Sequence, residues 1–394
     1  MLVKILKSEK RNIHLYYITT IAMSCWFIAS NWVYFWLKFM TYGQLGWVDA
    51  IGFGFALILE IPSGAIADML GKRKTILFGM IAGFIGVMIM TFSGSLIGMT
   101  IGWVITQICY AFYSGASEAL VYDSMKDLKI ENEFDGVVTK ASSIESITGA
   151  VATLVGGFVY YYNNQLPHFL WGMGFFLGII ASYFFIEPKI DTVKFSFKKY
   201  LNQLLAGVRE LTQTELKKYI GFFFVLVGVY YLYSWGFVRP AIATSFGFLS
   251  REQAIILPAL TIMGAFLVRL IPKFKNYVSD VTGLVILSIF MSVGFLLSMF
   301  NLGWLGLIPM IFIAIAGHLA TPWISIIVNK KIESKDRATT LSTIALLTKL
   351  PYVLIVITVG KMVEAGTLGT FNLYTGIVVI LVALFSLLLF RRKK

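Results

Sequence analysis

The 394-residue chain is 58% hydrophobic and only 13% charged, with a mean hydropathy of +0.80. A soluble domain carries about 25% charged residues, so this much apolar surface excludes a water-soluble fold and makes lipid the solvent. The net charge of +13 does not indicate a nucleic-acid partner, because its placement along the chain follows membrane topology.

The opening "MLVKILKSEKRNIH" is basic, but the apolar run behind it is of helix length and lacks a small-residue cleavage site. It reads as a first spanning helix rather than a removable leader. Runs long enough to span a bilayer recur at 15–40, 45–69, 75–93, 96–125, 138–162, 167–187, 219–246, 252–272, 278–300, 303–328, 338–363 and 370–390. The breaks are short and rich in turn residues, as in "TYGQLG", "NNQLPH" and "EAGTLG". One connection is long, Pro188 to Lys218. The chain therefore divides into six helices over 1–187, a cytoplasmic linker over 188–218, and six helices over 219–394. In the linker, Leu201, Leu204, Leu205, Val208 and Leu211 fall at helical spacing beside Lys198, Lys199 and Arg209, the pattern of a helix lying on membrane lipid.

Of the 33 Lys and Arg residues, 28 fall in the termini and one alternate set of loops, and only Arg251 falls in the other set. Both termini are expected on the cytoplasmic side of a multi-pass protein of the cytoplasmic membrane. Cys25 and Cys109 sit in apolar runs and give neither metal spacing nor a disulfide framework.

The stretch Gly64-Ala65-Ile66-Ala67-Asp68-Met69-Leu70-Gly71-Lys72-Arg73-Lys74 resembles the helix 2–3 signature of the major facilitator superfamily. Two others, "SGASEALVYDSM" (114–125) and "DRATTLS" (336–342), resemble a bacterial branch of that superfamily rich in drug and metabolite exporters. The resemblance implies an all-α integral membrane fold, with twelve transmembrane helices in two six-helix bundles around a central cavity. Helices 1, 4, 7 and 10 would line the cavity, and helices 2, 5, 8 and 11 would form the seam between rocking halves. The sequence departs from the antiporter pattern at two places. Gly156-Gly157 is present on helix 5, but Ala152-Thr153 replaces a Gly-Pro, and Ala111 stands where drug:proton antiporters carry a helix 4 Arg.

Charges inside a bilayer persist when they face a cavity, pair or work. On that ground Glu118, on cavity helix 4, is the first candidate to carry a coupling proton, with Asp123 and Glu60 behind it. A carboxyl in an apolar pocket favours its protonated form, so it can load and release a proton near neutral pH. Across the seam, Glu60 with Lys349 and Glu145 with Arg269 are candidate gating pairs. The resemblance places Asp68 near the amino-terminal end of helix 11, whose partial positive charge would make it a latch. Gly64 and Gly71 would allow close backbone approach there, with Arg73 and its neighbours holding the loop. Candidate substrate contacts are Asn31, Tyr34, Tyr113, Tyr231, Trp235, Arg239, His318 and Trp323, with Arg239 suited to an anionic group.

The sequence has no Walker loop, no H-E-x-x-H and no G-x-S-x-G. No enzyme, metal or cofactor is expected, and the partners are a small-molecule substrate, protons and lipid, with the chain a monomer. The reading is a secondary transporter exporting a small amphipathic or aromatic solute against protons. The alternatives are a proton-coupled importer or facilitator of an anionic metabolite, and a transporter-like sensor without flux.

Overall fold

Lipid offers backbone amides no hydrogen-bond partner, so spanning segments must satisfy them internally and the spans must be helices. The computed structural model describes residues 2–188, 197–331 and 334–391, and their regular structure is entirely helical. Eleven of the helices are long and apolar enough to cross a membrane. The chain falls into two compact units, Met1–Met40 with Ile51–Tyr200, and Thr41–Ala50 with Leu201–Lys394.

In the first unit the expected span 15–40 is broken. Helix α1 (Leu2–Ser24) stops, residues 25–31 form tight turns, and α2 (Trp32–Trp36) restarts. Side-chain hydroxyls compete for the carbonyls of the last helical turns: Thr20 Oγ1 bonds the Tyr16 carbonyl at 2.9 Å and Ser24 Oγ bonds the Thr20 carbonyl at 2.6 Å. Helix α3 (Tyr42–Leu70) runs on from residues of the second unit into residues of the first. After it come α4 (Lys72–Phe92), α5 (Leu96–Asp127), α6 (Phe134–Tyr162) and α7 (Leu166–Tyr183). Helix α4 packs against α5 and α7, and α1 packs against α6 and α7. The core holds Met80, Val87, Cys109, Trp171 and Phe175.

The second unit opens with α8 (Phe197–Gln213), which starts at its boundary and lies within the predicted linker. Leu211 is buried there while Leu201, Leu205 and Val208 are exposed. The expected span 219–246 is also interrupted. It consists of α9 (Ile220–Phe223), a π-helical turn (Phe224–Gly228), α10 (Val229–Trp235), a break at Gly236-Phe237, and α11 (Val238–Ser245). The break has a covalent cause: a proline ring clashes with the carbonyl four residues back, and Pro240 sets that clash at Gly236. The same rule ends α12 (Ser250–Val268) short of the expected 272, because Pro272 stands four residues beyond Val268; a short α13 (Ile271–Phe274) follows. Helices α14 (Asp280–Leu297), α15 (Leu307–Lys331), α16 (Ser334–Glu364) and α17 (Leu368–Arg391) complete the unit. There α14 packs on α15 and α17, and α12 on α15.

The break in the first span has a partner on α6. A Cβ at Gly156 would overlap the Phe27 carbonyl oxygen, so only glycine lets α6 approach the exposed backbone of the turn. Gly156→Ala is expected to lower stability by about 1–3 kcal/mol, the usual cost of overpacking. Thermal unfolding of the purified protein in detergent checks this.

Candidate functional site

The helix 2–3 signature builds a polar cluster within the first unit. Gly71 joins α3 to α4 with φ +92°, the left-handed region that favours glycine. The first amides of α4 have no partner within the helix, and the Glu187 carboxylate accepts both, from Lys72 N at 2.7 Å and Arg73 N at 2.9 Å. The Arg73 guanidinium donates to the Tyr183 carbonyl at 2.6 Å and lies over the Tyr183 ring. Lys72 is buried, and its ammonium pairs with the buried Asp123 carboxylate on α5. Beside them the Asn12 amide donates to Ser124 Oγ and to the Ile186 carbonyl, each at 2.8 Å.

Two expectations are corrected here. Lys72 is not a solvated anchor but one half of an internal ion pair. Asp123 spends its charge on that pair, whereas Glu118, on the same helix, is exposed. Sequence reasoning missed Glu187 and Asn12. The available signal was an acid placed before Pro188 at the end of the sixth span. The side chain of Asp68, the surroundings of Gly64 and the side chains of the 336–342 stretch lie outside the described residues.

Glu118 has company. Helix α1 brings Tyr16 and α6 brings Glu145 close enough that both interact electrostatically with Glu118. Tyr113, one turn back on α5, has its hydroxyl 3.2 Å from Thr19 Oγ1. An acid expected to carry a proton and an acid expected to gate thus share one locality. Asn31 is elsewhere, fully buried at the start of α2. Its amide donates to the Phe27 carbonyl at 2.9 Å and holds the broken segment, and its Oδ1 has no partner. Tyr34 is half-buried near Tyr160.

The second unit assembles a different cluster at the helix 7 break. Arg239, on α11, acts electrostatically on Tyr230, Tyr233 and His318. Its Nε is buried without a hydrogen-bond partner, as is the Tyr233 hydroxyl. Among the described residues Arg239 belongs to no ion pair. The Tyr230 hydroxyl lies 3.0 Å from His318 Nε2 on α15. Tyr231 and Trp235 stack at 5.9 Å, and the Trp235 ring is half exposed. Six groups therefore gather around the helix 7 break, one cationic and the rest aromatic or imidazole, with His318 supplied by α15.

Trp323 is buried against Gly283, its Nε1 donates to the Asp280 carbonyl at 3.2 Å, and Lys275 lies over its ring, so it packs α15 on α14. Glu60 and Lys349 are half-buried on α3 and α16, and Arg269 is exposed at the end of α12. One buried acid, Asp49 on α3, went unnoticed in the sequence; its Oδ2 accepts from the Tyr352 hydroxyl at 2.6 Å. No grouping of three or more His, Cys, Asp or Glu suited to a metal occurs among the described residues.

Removing one member of a buried ion pair strands the other at a cost of about 3–5 kcal/mol. Lys72→Met is therefore expected to destabilise the protein by that order. Lys72→Met combined with Asp123→Leu should regain most of the loss. A thermal double-mutant cycle reads the coupling directly.

The comparisons with known proteins follow this geometry. No curated protein matches the sequence. Among solved structures, the fold is similar to the nucleoside transporter NupG at 16% identity, covering 98% of this chain and 99% of that one, with a TM-score of 0.77. It is similar to a D-xylose-proton symporter at 12% identity, 96% of each chain and a TM-score of 0.73. A third is a bacterial homolog of the human lysosomal transporter Spinster, solved inward-facing and unoccupied, at 16% identity, 97% and 96% coverage and a TM-score of 0.68. At such identities the likeness is one of fold. The model of the Major Facilitator Superfamily matches residues 15–356. With its multi-pass helical architecture, the chain belongs to that superfamily of solute transporters, twelve membrane helices in two six-helix bundles.

Proposed function

We propose that the protein is a proton-coupled secondary transporter of a small organic anion with an aromatic or apolar body, working by alternating access in the cytoplasmic membrane with both termini inside. The observation that carries the substrate class is Arg239. Arg239 is half-buried, its Nε is buried with no hydrogen-bond partner, and among the described residues it meets no carboxylate, so a counter-charge from a solute would be favoured there. The Tyr231–Trp235 stack and the Tyr230–His318 pair beside it offer ring faces and hydrogen bonds to the rest of the solute. A carboxylate, sulfonate or phosphate fits the planar donor fork.

The direction we propose is export, on the resemblance of "SGASEALVYDSM" and "DRATTLS" to exporters. For coupling we propose Glu118, exposed on α5 and within electrostatic reach of Glu145 and Tyr16. Uptake in inside-out and right-side-out vesicles under an imposed pH gradient separates export from import. A protein that binds solute but gives no flux in either orientation is a sensor.

Two outcomes are expected. A panel of aromatic carboxylates and their neutral esters, screened by ligand-induced thermal shift, should stabilise the protein only as anions. Arg239→Gln should weaken that binding about 10- to 100-fold, the loss of a hydrogen bond to a charged group worth about 1.5–3 kcal/mol, and Arg239→Lys should restore part of it. Glu118→Gln should keep binding and exchange of labelled solute but lose accumulation driven by a pH gradient. Uphill transport with unchanged pH dependence in that variant would remove Glu118 from the role.

A further inference from the structure

The unassigned acid Asp49 sits in a contact internal to the second unit. The first turns of α3 run antiparallel to α16. At one end the Glu364 carboxylate accepts from Thr41 Oγ1 at 2.9 Å and from Gly43 N at 2.8 Å. Next, Gly46 brings the backbones together: a Cβ there would stand 2.8 Å from the Val356 carbonyl oxygen. Deepest in, Asp49 meets Tyr352, whose hydroxyl donates to Oδ2 at 2.6 Å. Asp49 is 1% exposed and Tyr352 is 0% exposed, and Asp49 Oδ1 is buried with no hydrogen-bond partner. Tyr352 lies in turn against Gly236, at the break before α11, with its ring edge-on to Tyr231 at 5.6 Å.

The groups that face Asp49 do not compensate a charge. The titratable neighbours are Tyr352 from α16 and, behind it, Tyr231 from α10. Among the described residues no Lys, Arg or His interacts with it and it forms no ion pair. An ionised carboxylate so placed would keep one oxygen unbonded in an apolar span, at a cost of several kcal/mol. A neutral carboxylic acid leaves only a weak acceptor or one hydroxyl unmade, a cost of about 1–3 kcal/mol. Asparagine would hold the Tyr352 hydroxyl with no charge to desolvate, at the cost of unpaired amide N–H groups. What an acid adds at this place is a proton that can leave.

We propose that Asp49 is a proton-binding site, protonated while Thr41–Ala50 is docked on α16 and deprotonated when Tyr352 withdraws and water reaches the carboxyl. Proton occupancy then sets the docking equilibrium of that segment. A docked state that binds the proton better is favoured by it in proportion to the difference in affinity. The inference goes beyond the Glu118 assignment and stands independently of it, since it concerns a different carboxyl in the other unit.

The test uses the full-length protein in liposomes at a series of pH values. Infrared difference spectra should contain a carboxylic-acid C=O band that is absent in Asp49→Asn. The protection factor of the amides over residues 41–50, which removes the intrinsic pH dependence of exchange, should fall with pH in the wild type and be independent of pH in Asp49→Asn. Tyr352→Phe keeps the acid and removes its hydrogen bond, so the band should persist at higher frequency; this variant carries the test if Asp49→Asn does not fold. Spectra unchanged in Asp49→Asn, or protection factors with the same pH dependence in both proteins, overturn the proposal. A wild type that shows the band and the pH-dependent protection, yet accumulates no solute on a pH gradient, supports the Asp49 site and overturns the proton-coupled reading of the transporter.

Discussion

The hydrocarbon core contains no water, so each peptide group that leaves a helix inside it must be bonded by the protein itself. This is why straight helices are cheap here and breaks are expensive, and why the breaks repay inspection. The turn at 25–31 is held by the Asn31 amide and covered by Gly156. The break at Gly236 is forced by Pro240 and re-bonded in part by Ala241 N to the Phe237 carbonyl at 2.9 Å. Each break leaves a buried polar atom without a partner, Asn31 Oδ1 at the first and Arg239 Nε at the second. The cost of irregular backbone is concentrated where side-chain chemistry is also concentrated.

The chain settles its buried charges in different ways. Lys72 and Asp123 neutralise each other within the first unit. Glu187 disperses its charge over the two orphan amides of α4, where the helix dipole also favours an anion. Glu118 stays exposed. Arg239 and Asp49 show none of these resolutions among the described residues, and that contrast within one molecule is the ground of the two proposals made for them.

Most of the helical layout was legible because the bilayer imposes a length on apolar runs, and eleven helices of the described structure meet that requirement. The interruptions were less legible, although Pro240 and Pro272 announced two of them four residues ahead. Gly71 was readable as a turn because it closes a motif. The partners of that motif were not readable: Asp123 is 51 residues from Lys72, and Glu187 is 115 from its bonded amide, so only the fold brings them together. The packing of Trp323 over Gly283 was not readable either, because an aromatic on a helix looks the same in sequence whether it meets a solute or fills a hollow on a neighbouring helix. Asp49 escaped because a single acid in "WVDAIGFG" carries no spacing signal, and its significance lies in the neighbours it lacks.

The π-helical turn at Phe224–Gly228 has a bearing on how such a protein changes over evolutionary time. A π turn accommodates one residue more than the α-helical ladder around it, and each residue of an α-helix turns the chain by about 100°. Deleting one residue within this turn regularises the ladder, while Tyr230, Tyr231, Tyr233 and Trp235 keep the facing they have relative to α9. Insertions and deletions inside a regular membrane span turn every residue beyond them by about 100°. Here the wide turn absorbs the change, so a lineage can gain or lose one residue in this span without re-aiming the aromatic residues that follow.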